Sequence, residues 1–136
     1  MTPDLHLITG PIRLPEWLPP LNAENGAQVI FTGHIRGSEN DQPITAIEYE
    51  VYEGMAQNEI RRLCAEIQKE WPVSRAVIVH RRDSVPVGEA AVLILVQAPR
   101  RRAAFRFAEI FLDRLKEEVP IWKSRIFPTA KARHAE

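Results

Sequence analysis

Two lysines near the end of this 136-residue chain, Lys116 and Lys123, are of a type and placement that can do chemistry. Around a helix with Ala108 at the centre of its apolar stripe, Lys116 falls at the stripe's edge, above Leu112 and in line with Phe105. Apolar flanks disfavour the charged amine, and a neutral amine can attack a carbonyl or pass a proton. Lys123 lies beyond Pro120, within reach of turning back toward Lys116, and a second ammonium nearby pushes the same way. The simpler alternative for either lysine alone is snorkelling, with the stem on apolar surface and the charge in water.

Arg100, Arg101 and Arg102 stand between an apolar run and a second helical pattern. Free backbone N–H groups and the positive end of that helix point into the same space, which suits a phosphate. The competing reading is a solvated arginine cap, since basic residues at a helix start oppose the dipole. His6, His34, His80 and His134 lack the i,i+3 or i,i+4 spacing of a metal site and read as surface or strand-end residues. His34 stands out among them, two residues before Arg36 where a strand opens into a loop. Cys64 sits within an apolar helical stripe, where a thiol is desolvated and unreactive.

These side chains need a frame, and the pattern supplies one. Leu5, Leu7 and Ile8 suit an edge strand, and Arg13 to Leu18 a short helical turn among four prolines. Ala27 to Ile35 alternates as a strand, and Ile44 to Val51 alternates with an acidic outer face, which predicts an antiparallel hairpin. A polar loop, Gly37 to Pro43, joins them. Gly54 opens a helix with Ala56, Ile60, Leu63, Cys64, Ile67 and Trp71 on one face, and Pro72 stops it. Ala76 to His80 is β-branched, Gly88 and Glu89 make a turn, and Ala90 to Val96 is apolar throughout, as a strand covered on both faces. A second helix runs from about Arg101 to Glu118, with Ala104, Ala108, Phe111, Leu112 and Leu115 inward, and Pro120 ends it. The order predicts an α+β sandwich, two helices packed on a largely antiparallel sheet, with a parallel βαβ step possible around the first helix.

At 15.5 kDa the chain has the length of one domain, 1–136, with a proline-rich arm over 1–25 and a short basic tail over 129–136. Lys plus Arg and Asp plus Glu are both 18, so no net charge draws it to nucleic acid or an anionic membrane. A single cysteine excludes a disulfide framework and a multi-cysteine zinc site. No apolar run approaches the ~20 residues of a membrane span, and the start lacks a signal-peptide pattern, so a cytoplasmic location is expected.

Several short segments recur together in order: Gly26-Ala27, Phe31-Thr32-Gly33-His34-Ile35-Arg36, Glu50-Val51-Tyr52-Glu53-Gly54-Met55, Trp71-Pro72, Val79-His80-Arg81, Val87-Gly88-Glu89, Arg100 to Phe105, Leu115-Lys116 and Pro120-Ile121-Trp122-Lys123. With them the chain resembles the large, catalytic subunit of molybdopterin synthase, the MoaE family, over about Leu5 to Pro128. The resemblance implies an α/β hammerhead-type fold with an additional small β subdomain. It implies an enzyme that moves sulfur from the thiocarboxylated C-terminus of a small ubiquitin-like carrier, the MoaD family, to cyclic pyranopterin monophosphate, forming the dithiolene of molybdopterin. It further implies a homodimer carrying one small subunit at each end, a heterotetramer, and no metal or organic cofactor.

Carried over by position, the resemblance makes Lys116 the principal catalytic lysine, Lys123 the second, and Arg36 a substrate-contacting arginine. Arg100 becomes a basic pocket residue given across the dimer interface. His34 and Ile35 share the strand end with Arg36; Pro99, Ser124 and Arg125 flank Arg100 and Lys123 in the implied substrate site. The chain departs from the family where Pro99 replaces a histidine and where Ser124-Arg125 replaces Arg-Glu. These departures motivate a second expectation, a non-catalytic docking protein for a ubiquitin-like sulfur carrier.

Overall fold

The computed structural model describes residues 1–129; His134 and the rest of the basic tail beyond 129 lie outside the described residues. The elements are β1 (Asp4–Ile8), a 3-10 turn (Leu14–Trp17), β2 (Ala27–His34), β3 (Ser38–Glu39), β4 (Gln42–Val51), α1 (Glu53–Glu70), β5 (Arg75–Arg81), β6 (Ser84–Pro86), β7 (Ala90–Ala98), α2 (Arg101–Glu118) and β8 (Ile121–Pro128). Two sheets share them. The larger runs β1-β5-β7-β2, and in the smaller β4 pairs with β3, β6 and β8.

Both helices lie on one face of the larger sheet. Ile60, Leu63 and Cys64 of α1 and Ala104, Phe107 and Phe111 of α2 are fully buried against Ala76, Ile78, Ile94 and Val96. Phe107 joins the stripe expected for α2 and stacks on Phe111 with ring centroids 6.2 Å apart. The opposite face, Val77, Val79, Leu93 and Leu95, is covered by Ile8, Ile12, Leu14 and Trp17 of the N-terminal arm. The apolar run of β7 is therefore covered on both faces, as a continuous Val/Leu/Ile strand requires. Ile35, Ile44, Ile47, Val85 and Ala91 fill the smaller sheet's own core.

Three pairings differ from expectation. β2 and β4 do not form a hairpin: β2 pairs antiparallel with β7, and β4 turns back on β3. The cause is local, because Asn40 (φ 50°) and Asp41 (φ 64°) both adopt left-handed backbone and make a tight two-residue turn of their own. The step around α1 is not a parallel βαβ unit, since β4 and β5 lie in different sheets and the parallel partner of β5 is β1. Finally, Ile121–Pro128 is a strand, antiparallel to β4. Its largely exposed Trp-Lys-Ser-Arg sequence has no apolar period, and β4 holds it by backbone hydrogen bonding.

Candidate active site

A cleft of about 500 Å³ opens where the two sheets meet beneath the C-terminal end of α2. One row of the larger sheet forms its floor. Val92 of β7 pairs with His80 of β5 on one side and Gly33 of β2 on the other. Gly33 keeps this floor low: a Cβ there would stand 2.9 Å from Val92 Cγ1 and 3.3 Å from Phe31 Cε1. The register of β2 shifts between Gly33 and His34, which re-aims the strand end toward the cleft.

His34, Ile35 and Arg36 follow on that strand end and all line the cleft. His34 is tied by both ring nitrogens: Nδ1 donates to Gly88 O at 3.1 Å, and Nε2 lies 2.9 Å from Thr32 Oγ1. Ile35 is buried, donates its N–H to Glu89 O and accepts from Gly88 N–H, forming a fixed wall. Arg36 is exposed and makes no ion pair among the described residues.

Lys116 reaches the cleft from the last turn of α2, with Leu112, Leu115 and Ile121 beside it. That turn is fastened to α1 by Arg62–Glu118 at 2.9 Å and Arg114–Glu66 at 2.6 Å. Lys123 comes from β8, opposite Tyr49 of β4, and its ammonium is 3.1 Å from Glu39 Oε1. Tyr49 is half-buried and meets His80 edge-on, with centroids 5.2 Å apart. Burial, helped by the Glu39 carboxylate, raises the Tyr49 phenol above its ordinary range. His80 is buried, and burial lowers its imidazole below the ordinary value.

The structure thus gathers His34, Ile35, Arg36, Lys116 and Lys123 into one cleft. It does not bring the other four residues there within a single chain. Pro99 and Arg100 stand at the opposite end of α2, where Pro99 O accepts from Gly26 N–H at 3.3 Å and Arg100 precedes the first helical turn. Ser124 lies outside the cleft lining, as the extra residue where the β4–β8 register shifts between Glu48 and Tyr49, and its hydroxyl donates to Glu48 Oε1 at 3.1 Å. Arg125 lies over the Phe127 ring, 5.1 Å from its centroid.

Glu39, Tyr49, His80 and Gly33 also line or floor the cleft, and sequence reasoning gave none of them a role in the site. Glu39 sits in what reads as a polar loop, Tyr49 looks like a core residue of β4, and His80 looks like a plain strand end. Cys64 is fully buried, and burial pushes its thiol up to about 12. No group of three or more His, Cys, Asp or Glu placed to hold a metal occurs among the described residues, and no described helix is long and apolar enough to cross a membrane.

Comparisons with known proteins agree with one another. The family model described as MoaE protein matches residues 9–118. The molybdopterin synthase catalytic subunit of Staphylococcus epidermidis is 37% identical over 123 residues, 90% of this chain and 82% of that protein. The human protein of the same name is 38% identical over 102 residues, 75% of this chain and 54% of its own length, so the chain spans about half of that relative. The crystal structure of molybdopterin synthase from Staphylococcus aureus superposes with a TM-score of 0.77 at 32% identity, over 93% of this chain and 96% of that one. By sequence and by fold, this chain belongs to the MoaE family.

Proposed function

We propose that this chain is the large, sulfur-transferring subunit of a molybdopterin synthase. The observation that carries the proposal is the meeting of Arg36, Lys116 and Lys123 in one cleft, facing a single carboxylate, Glu39. Three cations against one anion leave a positive cavity suited to a phosphate and to the acidic end of a polypeptide. Beside them, Ile35, Ile47, Leu112 and Leu115 offer an apolar wall for a flat ring. Cyclic pyranopterin monophosphate has both parts, and the thiocarboxylated tail of a small ubiquitin-like carrier is the matching sulfur donor.

Arg36 holds the substrate's phosphate, and Lys116, on its rigid helix end, faces the carrier's terminal carbonyl. Lys116 is exposed in the single chain, so the desolvation that sharpens an amine's reactivity comes from the tail and pterin filling the cleft. Lys123, steadied by Glu39, supplies the second positive charge. Arg100, at the far end of its own α2, serves the cleft of a second copy, which makes the working unit a homodimer with a small subunit at each end. The reaction as proposed needs no metal or organic cofactor, and it belongs in the cytoplasm.

Complementation tests this reading. In a strain lacking its own large subunit, expression of this chain restores molybdoenzyme activity. A chain that binds the carrier yet restores nothing is a docking protein, and the proposal fails.

A further inference from the structure

The lysines and Arg36 bring positive charge to the cleft, yet moving sulfur also requires somewhere for a proton to go. His80 is the third helix-facing residue of β5, after Ala76 and Ile78, at the point where the apolar face gives way to the cleft floor. It is 6% exposed. Its Nδ1 lies 2.7 Å from Arg81 O, and since a carbonyl only accepts, the hydrogen sits on Nδ1. Nε2 is then a lone-pair acceptor, and it has no protein partner among the described residues.

The charged and titratable groups that share this cleft with His80 come from every element around it: His34 on β2, Arg36 after β2, Glu39 on β3, Tyr49 on β4, Lys116 on α2 and Lys123 on β8. Its strand neighbours, Leu7 of β1 and Val92 of β7, carry no charge. The neighbouring Arg81 turns its guanidinium to Asp83 and Glu89. Each other candidate base is engaged or of the wrong kind. Glu39 is paired with Lys123, His34 is tied at both nitrogens, and the raised Tyr49 phenol keeps its proton. Burial keeps the His80 imidazole neutral at pH 7 and so ready to accept.

We propose that His80 is a further catalytic residue: the base that activates water against the carrier's acyl carbon once the sulfur has bonded to the pterin. The inference rests on the sulfur-transfer reading above. The water oxygen bonds to the acyl carbon while the acyl carbon–sulfur bond breaks, its electron pair leaving on the pterin-bound sulfur. One water proton passes to Nε2 and on to solvent. The carrier departs as a carboxylic acid that sheds its remaining proton.

The test is single-turnover sulfur transfer by the folded dimer, supplied with thiocarboxylated carrier and cyclic pyranopterin monophosphate at a series of pH values. His80→Gln, whose amide can still donate to Arg81 O, lowers the rate by about 10²-fold or more and removes the fall of rate on the acid side. The carrier–pterin thioester accumulates and is seen by mass spectrometry, while carrier affinity is unchanged. Imidazole added to His80→Gly restores turnover in proportion to its free-base fraction, a response that a purely structural histidine would not give. An active wild type beside an unimpaired His80→Gln, or a folded His80→Gly indifferent to imidazole, overturns this proposal alone. A wild type that makes no product overturns the parent reading and this one with it.

Discussion

Arg100 and Lys116 stand at opposite ends of α2, sixteen residues and, at the helical rise per residue, about 24 Å apart. A rigid helix cannot fold back to bring them together, so one chain cannot use both on the same substrate. The proposed homodimer has a second copy, related by two-fold symmetry, supply Arg100 to that cleft.

Mixed dimers test this arrangement. Lys116→Ala and Arg100→Ala are each inactive as homodimers. Random reassortment of the two places one intact site in each hybrid, which returns about a quarter of wild-type activity for a two-fold dimer. If Arg100 served its own chain's cleft, the mixture would stay inactive.

Gly33 is the tightest point of the cleft floor. Gly33→Ala drives a methyl against Val92 Cγ1, a branched side chain with little freedom to move aside. Overpacking of this kind destabilises by roughly 1–3 kcal/mol, and the new methyl also shallows the cleft. Denaturant unfolding measures the first effect. A raised KM for the pterin, greater than the change in kcat, reports the second.

Acid acts on stability through His80 in one window and, at lower pH, through ion-paired carboxylates of which Glu118 is the most strongly shifted. The folded His80 imidazole lies below its unfolded value of about 6.5, so the unfolded chain binds the proton first. Stability from this source is full above that value and declines as pH falls through it. Glu118 is held down to about 2 by hydrogen bonds from Arg114 first and then Arg62. Its contribution is present above about 4.5 and is lost as pH falls toward about 2. In thermal melts against pH, His80→Gln should flatten the upper window, and Glu118→Gln should reduce the slope of the lower one, where Glu66 and Asp83 still titrate.

Cys64 makes a convenient reporter of unfolding. Full burial and a thiol pushed up to about 12 leave almost no thiolate at neutral pH. An aromatic disulfide reagent should label the native chain only at the rate of opening and the denatured chain at once. Rapid labelling under native conditions would show that the packing of α1 on the sheet is looser than described.

The helices and the main strands were legible because their periods are strong. The α1 stripe, the apolar run of β7 and the stops at Pro72 and Pro120 each follow from a local rule. Sheet membership was not legible. The loop after Arg36 hides a turn set by Asn40 and Asp41, neither of them glycine, so β4 takes β3 as its hairpin partner. β8 carries no apolar period and exists because β4 offers a free edge. In the cleft, resemblance pointed to Arg36, Lys116 and Lys123, and their meeting depends on long-range pairings such as Tyr49 with Lys123. Glu39 escaped notice and His80 was read as a plain strand end for the same reason: a residue on its own strand says nothing about the charge that faces it from another.

The most direct test of sulfur transfer at this cleft is product formation in a purified system. Wild-type chain, thiocarboxylated carrier and cyclic pyranopterin monophosphate are mixed, and the dithiolene is measured, with Lys116→Ala alongside. Wild type should form dithiolene, while the folded, dimeric Lys116→Ala should bind the carrier and form none. Equal product from the two chains, or carrier binding by wild type without any dithiolene, would contradict the account.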